Sequence, residues 1–236
     1  LRSDDKQIRP AILCLHGGFW AKGSKKFMHP LALDLVEKGY IAVCSNYRLT
    51  DVAQAPAQLH DVFSAIHFLR ENAFKYGIDP KKIGVTGSSA GGYLAVMAAV
   101  FNSGDKRTRP NAAVGMGAQT DLLSPHIQNS TVLNWSKFMG GFYHQVPQKY
   151  LKQSPINHLT KDDPPIAIIC GEYDKPSTRA NAFRKKASQL GVPTGLTEIS
   201  GAPHGLLKAS KHRSIAVSVL DDFFRAHLGK KGSNFE

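Results

Sequence analysis

The chain has 236 residues, 42% hydrophobic and 20% charged, enough to enclose a substantial core in one domain and too apolar for a disordered chain. No run approaches the roughly 18 consecutive apolar residues of a membrane span, and the opening LRSDDKQIRP is unlike a secretory signal. The formal charge is +12, yet its clusters are short and scattered (Lys25 with Lys26, Lys81 with Lys82, Lys185 with Lys186, Lys230 with Lys231), which reads as a solvated surface rather than a phosphate-binding face. Neither nucleic acid nor a membrane is therefore an expected partner. The chain opens at Leu1, so a cytoplasmic location and secretion after removal of a leader both stay open, and so does the oligomeric state.

In chain order, apolar runs alternate with helix-period segments, the pattern of βα units around a mostly parallel sheet. Strands are expected at 11–15, 41–45, 82–86, 112–116, 165–170 and 195–199. The first strand leads into His16, Gly17, Gly18, Phe19 and Trp20, where glycines mark a sharp bend or a close approach to the backbone. A helix at 27–38 has Pro30 near its start and Gly39 as its stop. Leu59, Val62, Phe63, Ile66 and Leu69 share one face of a second helix that ends by Gly77. The strand at 82–86 runs into GSSAGG and a third helix from about Ala90. Residues 121–164, far longer than the roughly 12 to 15 of an ordinary structureless connection, read as a lid or cap insertion. Its Trp135, Phe138, Phe142 and Tyr143 either wall a substrate pocket or pack the insertion onto the domain. A last helix at 211–227 carries Val217, Leu220 and Phe224 on one side, and the tail 229–236 is expected to fray. The fold class is α/β, a doubly wound, mostly parallel sheet with helices on both faces, in a single domain with its site at the carboxyl ends of the strands. The three cysteines, Cys14, Cys44 and Cys170, lie within strands and read as buried free thiols, with no disulfide framework or metal-ligand spacing.

The chemistry begins at Gly87, Ser88, Ser89, Ala90 and Gly91. This is G-x-S-x-G between a strand and a helix, where a strained turn exposes the central serine at a helix N-terminus. Ser89 is the candidate nucleophile. A serine hydroxyl needs a base, and among ten histidines His204 stands in SGAPHG, directly after the last strand. His126 and His144, in the insertion, are rivals. The base needs an acid to orient it. Asp174 ends GEYD after the strand at 165–170, giving the chain order Ser, Asp, His; Glu172 in the same loop and Asp121 after the preceding strand remain alternatives. Developing negative charge on an attacked carbonyl needs donors already in place, and Gly17 and Gly18, with the N–H of Ala90, supply side-chain-free amides. His16 is expected to brace that loop, and Phe19 and Trp20 to line the pocket mouth or anchor the loop.

LCLHGGFW, NYRL, PAQLHDVFSAIHFLRENAFKYGIDPKKIGVTGSSAGGYLA, SPINHL, PPIAIICGEYD and GAPHG together resemble the α/β-hydrolase superfamily. The likeness is to its acetyl esterase/lipase branch, which includes bifunctional feruloyl and acetyl-xylan esterases and borders on the hormone-sensitive-lipase type. The resemblance covers roughly residues 10–228. It implies cofactor-free hydrolysis of carboxylic esters, with Ser89, Asp174 and His204 as triad and Gly17, Gly18 and Ala90 as oxyanion hole. Substrate contacts are then expected from Phe19, Trp20 and Trp135. Two features depart from it. Phe19 stands where the lipase-type branch has a third glycine, and there is no room before Ala11 for the two antiparallel strands that usually open this fold: either that segment is trimmed or the sheet is shortened, which would leave the strand at 41–45 as an edge needing cover. The expected activity is a serine esterase for short acyl esters, acetyl or feruloyl esters of carbohydrate among them. The alternatives are a kynurenine formamidase-like amide hydrolase, which has a similar HGG-aromatic-Trp stretch, and a non-catalytic binding protein of the same fold.

Overall fold

The structure is a computed structural model that describes residues 8–229. Its strands are β1 (Arg9–Leu15), β2 (Ile41–Ser45), β3 (Ile78–Ser88), β4 (Ala112–Met116), β5 (Ile166–Gly171) and β6 (Thr194–Ile199). Among the described residues they form one sheet in the order β2-β1-β3-β4-β5-β6, with every neighbouring pair parallel. The helices, in chain order, are α1 (His29–Glu37), α2 (Ala57–Glu71), α3 (Ala73–Tyr76), α4 (Ala90–Val100), α5 (Pro125–Gln128), α6 (Leu133–Met139), α7 (Pro147–Lys152), α8 (Pro155–His158), α9 (Pro176–Arg179), α10 (Asn181–Gln189) and α11 (Ser210–Leu228).

Alternation along the strands divides the core in two. Leu13 and Leu15 of β1 join Val85 of β3 and Ile166 and Ile168 of β5 in a layer shared with α2, α4, α10 and the insertion. Ile12 and Cys14, with Val114 and Ile169, face α1 and α11. Every residue of α4 is buried, which is why AGGYLAVMAAV shows no amphipathic stripe. The helix directly behind Ser89 is thus among the most enclosed in the molecule.

The structure departs from the expected elements where packing overrides local pattern. The strand expected from residue 82 begins at Ile78, because Arg9 pairs with Ile78 across an irregularity before the regular ladder starts at Ala11 and Ile83. The first helix starts at His29 after a short tight turn, Lys25–Met28, with Pro30 inside its first turn where no N–H is needed. Helix α10 has no counterpart in the expected set, because only Phe183 and Ala187 are buried in a segment otherwise rich in basic and polar residues. The insertion carries α5 to α8, and its Ile127, Trp135, Phe138, Met139, Tyr150 and Leu159 belong to the main core cluster. Of the expected fraying tail, residues 230–236 lie outside the described residues.

At the sheet's end, β2 is the edge strand. Its Cys44 is accordingly half-buried, whereas Cys14 and Cys170 are buried, and all three thiols are free. Among the described residues no helix is long and apolar enough to cross a membrane.

Candidate active site

Ser89 sits between the end of β3 and the start of α4 with φ 55° and ψ −115°, a strained conformation for a residue with a side chain. Two features hold it there. Its N–H donates to the carbonyl of Met116 at the end of β4, 2.7 Å away. Gly91 lets the first turn of α4 press against β1: a Cβ at that position would lie 2.2 Å from the Leu15 carbonyl oxygen. The elbow therefore needs the small residue that the motif supplies.

The loops after β5 and β6 bring their side chains to this serine. His204 Nε2 is 2.8 Å from Ser89 Oγ, and His204 Nδ1 is 2.8 Å from Asp174 Oδ2. The Asp174 side chain is 2% exposed, so its bond to the imidazole is shielded from water. The rival acids are otherwise engaged. Glu172 accepts from the Gly201 N–H at 2.8 Å and the Ser200 hydroxyl at 3.0 Å; the Gly201 bond first and the Ser200 bond second hold its carboxyl below the usual range. Asp121 accepts from the Leu123 N–H at 2.8 Å. His126 lines the cavity with Ser89 and His204, while the ring of His144 stacks on Phe142.

Across the elbow, Gly17 lies so close to it that a Cβ there would sit 2.8 Å from the Ser88 carbonyl oxygen. Among the described residues, the N–H groups of Gly17, Gly18 and Ala90 donate to no protein acceptor. His16 braces this loop. Its Nδ1 is 2.9 Å from the Gly17 carbonyl oxygen, its ring stacks on Tyr47 with centroids 4.2 Å apart, and the Tyr47 hydroxyl donates to the His16 carbonyl at 2.8 Å. Burial lowers the His16 pKa below the ordinary 6.5, against the opposing pull of the Gly17 bond.

A cavity of about 120 Å³ opens over Ser89 and His204. Phe19, Trp20, Tyr93, Ile127, Val132 and Trp135 form its apolar wall, and Gln119, His126, Ser130 and Arg179 contribute polar groups. Of the aromatics expected to wall the pocket or pack the insertion, Phe142 stacks on His144 and the other three divide. Trp135 reaches the cavity, Phe138 lies behind it against Trp20, and Tyr143 packs edge-on to Tyr150. A second cavity of about 380 Å³, lined by Thr120, Asp121, Ser124 and Thr178, adjoins the first at His126 and Arg179.

Two residues at this site escape the sequence reading. Gly117, at φ +60°, lies where a Cβ would meet Asp174 Oδ2 at 2.9 Å and the His204 ring at 3.1 Å. Arg179 Nε stands 2.7 Å from Asp174 Oδ1. A glycine just past the end of a strand is a faint signal for the first; nothing local marks the second.

The parallel sheet, the elbow and the three loops converging on it define an α/β-hydrolase. More particularly, the chain belongs to the BD-FAE family, whose model matches residues 1–186. It is 30% identical over 239 residues to the esterase LipQ of Mycobacterium tuberculosis, covering 94% of this chain and 56% of LipQ. The chain spans about half the length of the curated relatives LipQ, at 56%, and the probable carboxylic ester hydrolase LipM of the same organism, at 53%. Among solved structures, a truncated carbohydrate esterase from gut microbiota superimposes with a TM-score of 0.84 at 26% identity, covering 96% of this chain and 88% of that one. The fold is also that of an acetyl ester-xyloside bifunctional hydrolase from Caldicellulosiruptor lactoaceticus, with a TM-score of 0.80 at 23% identity over 97% of this chain and 86% of that one.

Proposed function

We propose that this chain is a serine carboxylesterase that hydrolyses short-chain acyl esters through an acyl-enzyme. The observation that carries this reading is the hydrogen-bonded line from Ser89 through His204 to Asp174, two contacts of 2.8 Å each, beside main-chain amides without acceptors. Ser89 Oγ attacks the ester carbonyl while His204 Nε2 takes its proton. Asp174 holds the ring in the tautomer that leaves Nε2 free and stabilises the imidazolium that forms. The carbonyl oxygen, now an anion, takes hydrogen bonds from the N–H groups of Gly17, Gly18 and Ala90, each donor worth roughly 3 kcal/mol of barrier. The imidazolium returns its proton to the departing alcohol. Water, activated by the same histidine, then releases the acid.

The size of the cavity, about 120 Å³, favours a small acyl group over a feruloyl or long-chain one. The adjoining cavity, with its hydroxyl and carboxylate groups, suits a hydroxyl-rich alcohol portion. An acylated carbohydrate fits that description, and the names of the similar esterases support it. No cofactor enters the scheme.

The test is hydrolysis of p-nitrophenyl acetate, butyrate and decanoate by the wild type and Ser89→Ala, together with labelling by a fluorophosphonate probe. Turnover is expected to fall from acetate to decanoate, and Ser89→Ala to lose roughly a thousandfold or more because the nucleophile acts as a unit with its base. An unlabelled, well-folded wild type would move the protein to the non-catalytic class. Cleavage of N-formylkynurenine in preference to every ester would make it an amidase.

A further inference from the structure

Resting on the esterase reading above, we propose that Arg179 is a positioning residue of the triad. Its guanidinium fixes the Asp174 carboxylate with one oxygen toward His204, and so sets the rate of acyl transfer without binding substrate.

Asp174 is enclosed, its side chain only 2% exposed. A carboxylate in such a place needs a partner for each oxygen, because a buried charge left half-satisfied takes up a proton or turns away. Oδ2 has the Nδ1 of His204 at 2.8 Å. Oδ1 has the Nε of Arg179 at 2.7 Å as its charged partner. Were Oδ1 left without it, a rotated Asp174 would no longer select the imidazole tautomer that presents a free Nε2 to Ser89.

Arg179 also ties two loops together. Its Nε reaches the main-chain carbonyl of Asp174 itself at 2.9 Å, and its Nη1 reaches the Gly117 carbonyl at 3.5 Å and Gln119 Oε1 at 3.4 Å. The Arg179 carbonyl in turn accepts from the Thr120 N–H at 3.2 Å and from the Thr120 hydroxyl. The loop after β5, which bears the acid, is thereby fastened to the loop after β4, whose Gly117 lies against both Asp174 and His204. Arg179 is the centre of that fastening, its guanidinium donating to three carbonyl oxygens and paired with the Asp174 carboxylate. A lysine offers charge but not this fork.

Because Arg179 also borders both cavities, the competing role is substrate binding, and steady-state kinetics separates the two. The experiment measures kcat and KM for p-nitrophenyl acetate in Arg179→Gln, Arg179→Lys and Arg179→Ala, with circular dichroism melts as the check on folding. Losing a charge-assisted hydrogen bond is expected to lower kcat by about 10- to 100-fold in Arg179→Gln and Arg179→Ala. KM is expected to stay within about threefold. Arg179→Lys should recover part of the loss, and added guanidinium ion should restore Arg179→Ala where sodium at equal ionic strength does not. If Arg179→Ala fails to fold, the glutamine and lysine variants carry the test. A raised KM with unchanged kcat makes Arg179 a substrate-binding residue and overturns the proposal, as does a kcat within about twofold of wild type in Arg179→Gln. Ser89→Ala run alongside keeps the two readings apart. Ser89-dependent turnover that is indifferent to Arg179 sinks only this inference, whereas absence of any Ser89-dependent turnover sinks the esterase reading and this one with it.

Discussion

The indole of Trp20 lies flat on the ring of Phe138, centroids 3.9 Å apart and planes 7° from parallel. This contact joins the loop bearing Gly17 and Gly18 to the insertion between β4 and β5. It also accounts for an unusual backbone. Phe19 and Trp20 both have positive φ, 52° and 57°, at about 1–3 kcal/mol each for side chains of this kind. Burying an indole removes about 150–250 Å² from water, worth roughly 4–6 kcal/mol as an upper figure, enough to hold the turn. The indole Nε1 is buried with no acceptor among the described residues, so Trp20 is held there by shape.

Phe138→Ala should therefore weaken activity although Phe138 does not line the cavity. The cost in stability is expected at about 3–5 kcal/mol, read by denaturant melts, with kcat falling as the amide-bearing loop loosens. Unchanged kcat in a destabilised but folded variant would mean that the loop keeps its shape without the insertion.

Trp135 is 7% exposed and shares the cavity wall with Trp20 and Phe19. Replacing it with alanine removes the largest ring that the insertion contributes to the cavity. Relative turnover of p-nitrophenyl decanoate over acetate should rise in Trp135→Ala. A chain-length profile identical to that of the wild type would place the acyl group elsewhere.

Gly117→Ala puts a methyl group 2.9 Å from Asp174 Oδ2, at a φ of +60°. Displacing an acid–base pair by about 1 Å costs up to about a hundredfold in rate, so kcat should drop about 10- to 100-fold. Gly191→Ala is the control: it too has positive φ, +75°, but nothing lies within 4 Å of the added carbon. It should lose about 1 kcal/mol of stability and no activity. Equal activity in both variants would show that crowding at Gly117 is harmless.

His16 is one source of pH dependence in the stability. Its folded-state pKa lies below the ordinary 6.5, so the unfolded chain takes up a proton more readily. Stability is therefore full above pH 6.5 and falls as pH drops from that value toward the folded one. The melting temperature should decline between about pH 7 and 5, and less steeply in His16→Asn, whatever the variant's overall stability. Parallel slopes in the two proteins would remove His16 from the account.

Much of the site is legible in the chain because its backbone demands are local. GSSAGG can be read as an elbow since small residues around a serine between a strand and a helix serve one steric purpose. His204 and Asp174 follow from their places just after strands, where a parallel sheet gathers its loops. Asp174 is preferred to Glu172 on its place in the chain alone. Both lie in one short turn, and the geometry separates them: Asp174 Oδ2 is 2.8 Å from His204 Nδ1, whereas Glu172 is bonded to Ser200 and Gly201. Helix α10 was hidden because two buried residues do not make a periodic pattern.

Local sequence alone determined the alternation of strand and helix, the strained serine, the bare amides of Gly17 and Gly18, and the order of the three site residues, since dihedral preference and hydrophobic period act between near neighbours. Tertiary structure alone decided that Arg179 and His204 both contact the Asp174 carboxylate, that Gly117 leaves room for Asp174 and His204, and that Trp135 rather than Phe142 reaches the cavity. Arg179 and Asp174 are five residues apart, but the contacts of His204, Gly117 and Trp135 join residues far apart in the chain, and the free energy that selects among them comes from closing loops over a common core, which no window of sequence contains.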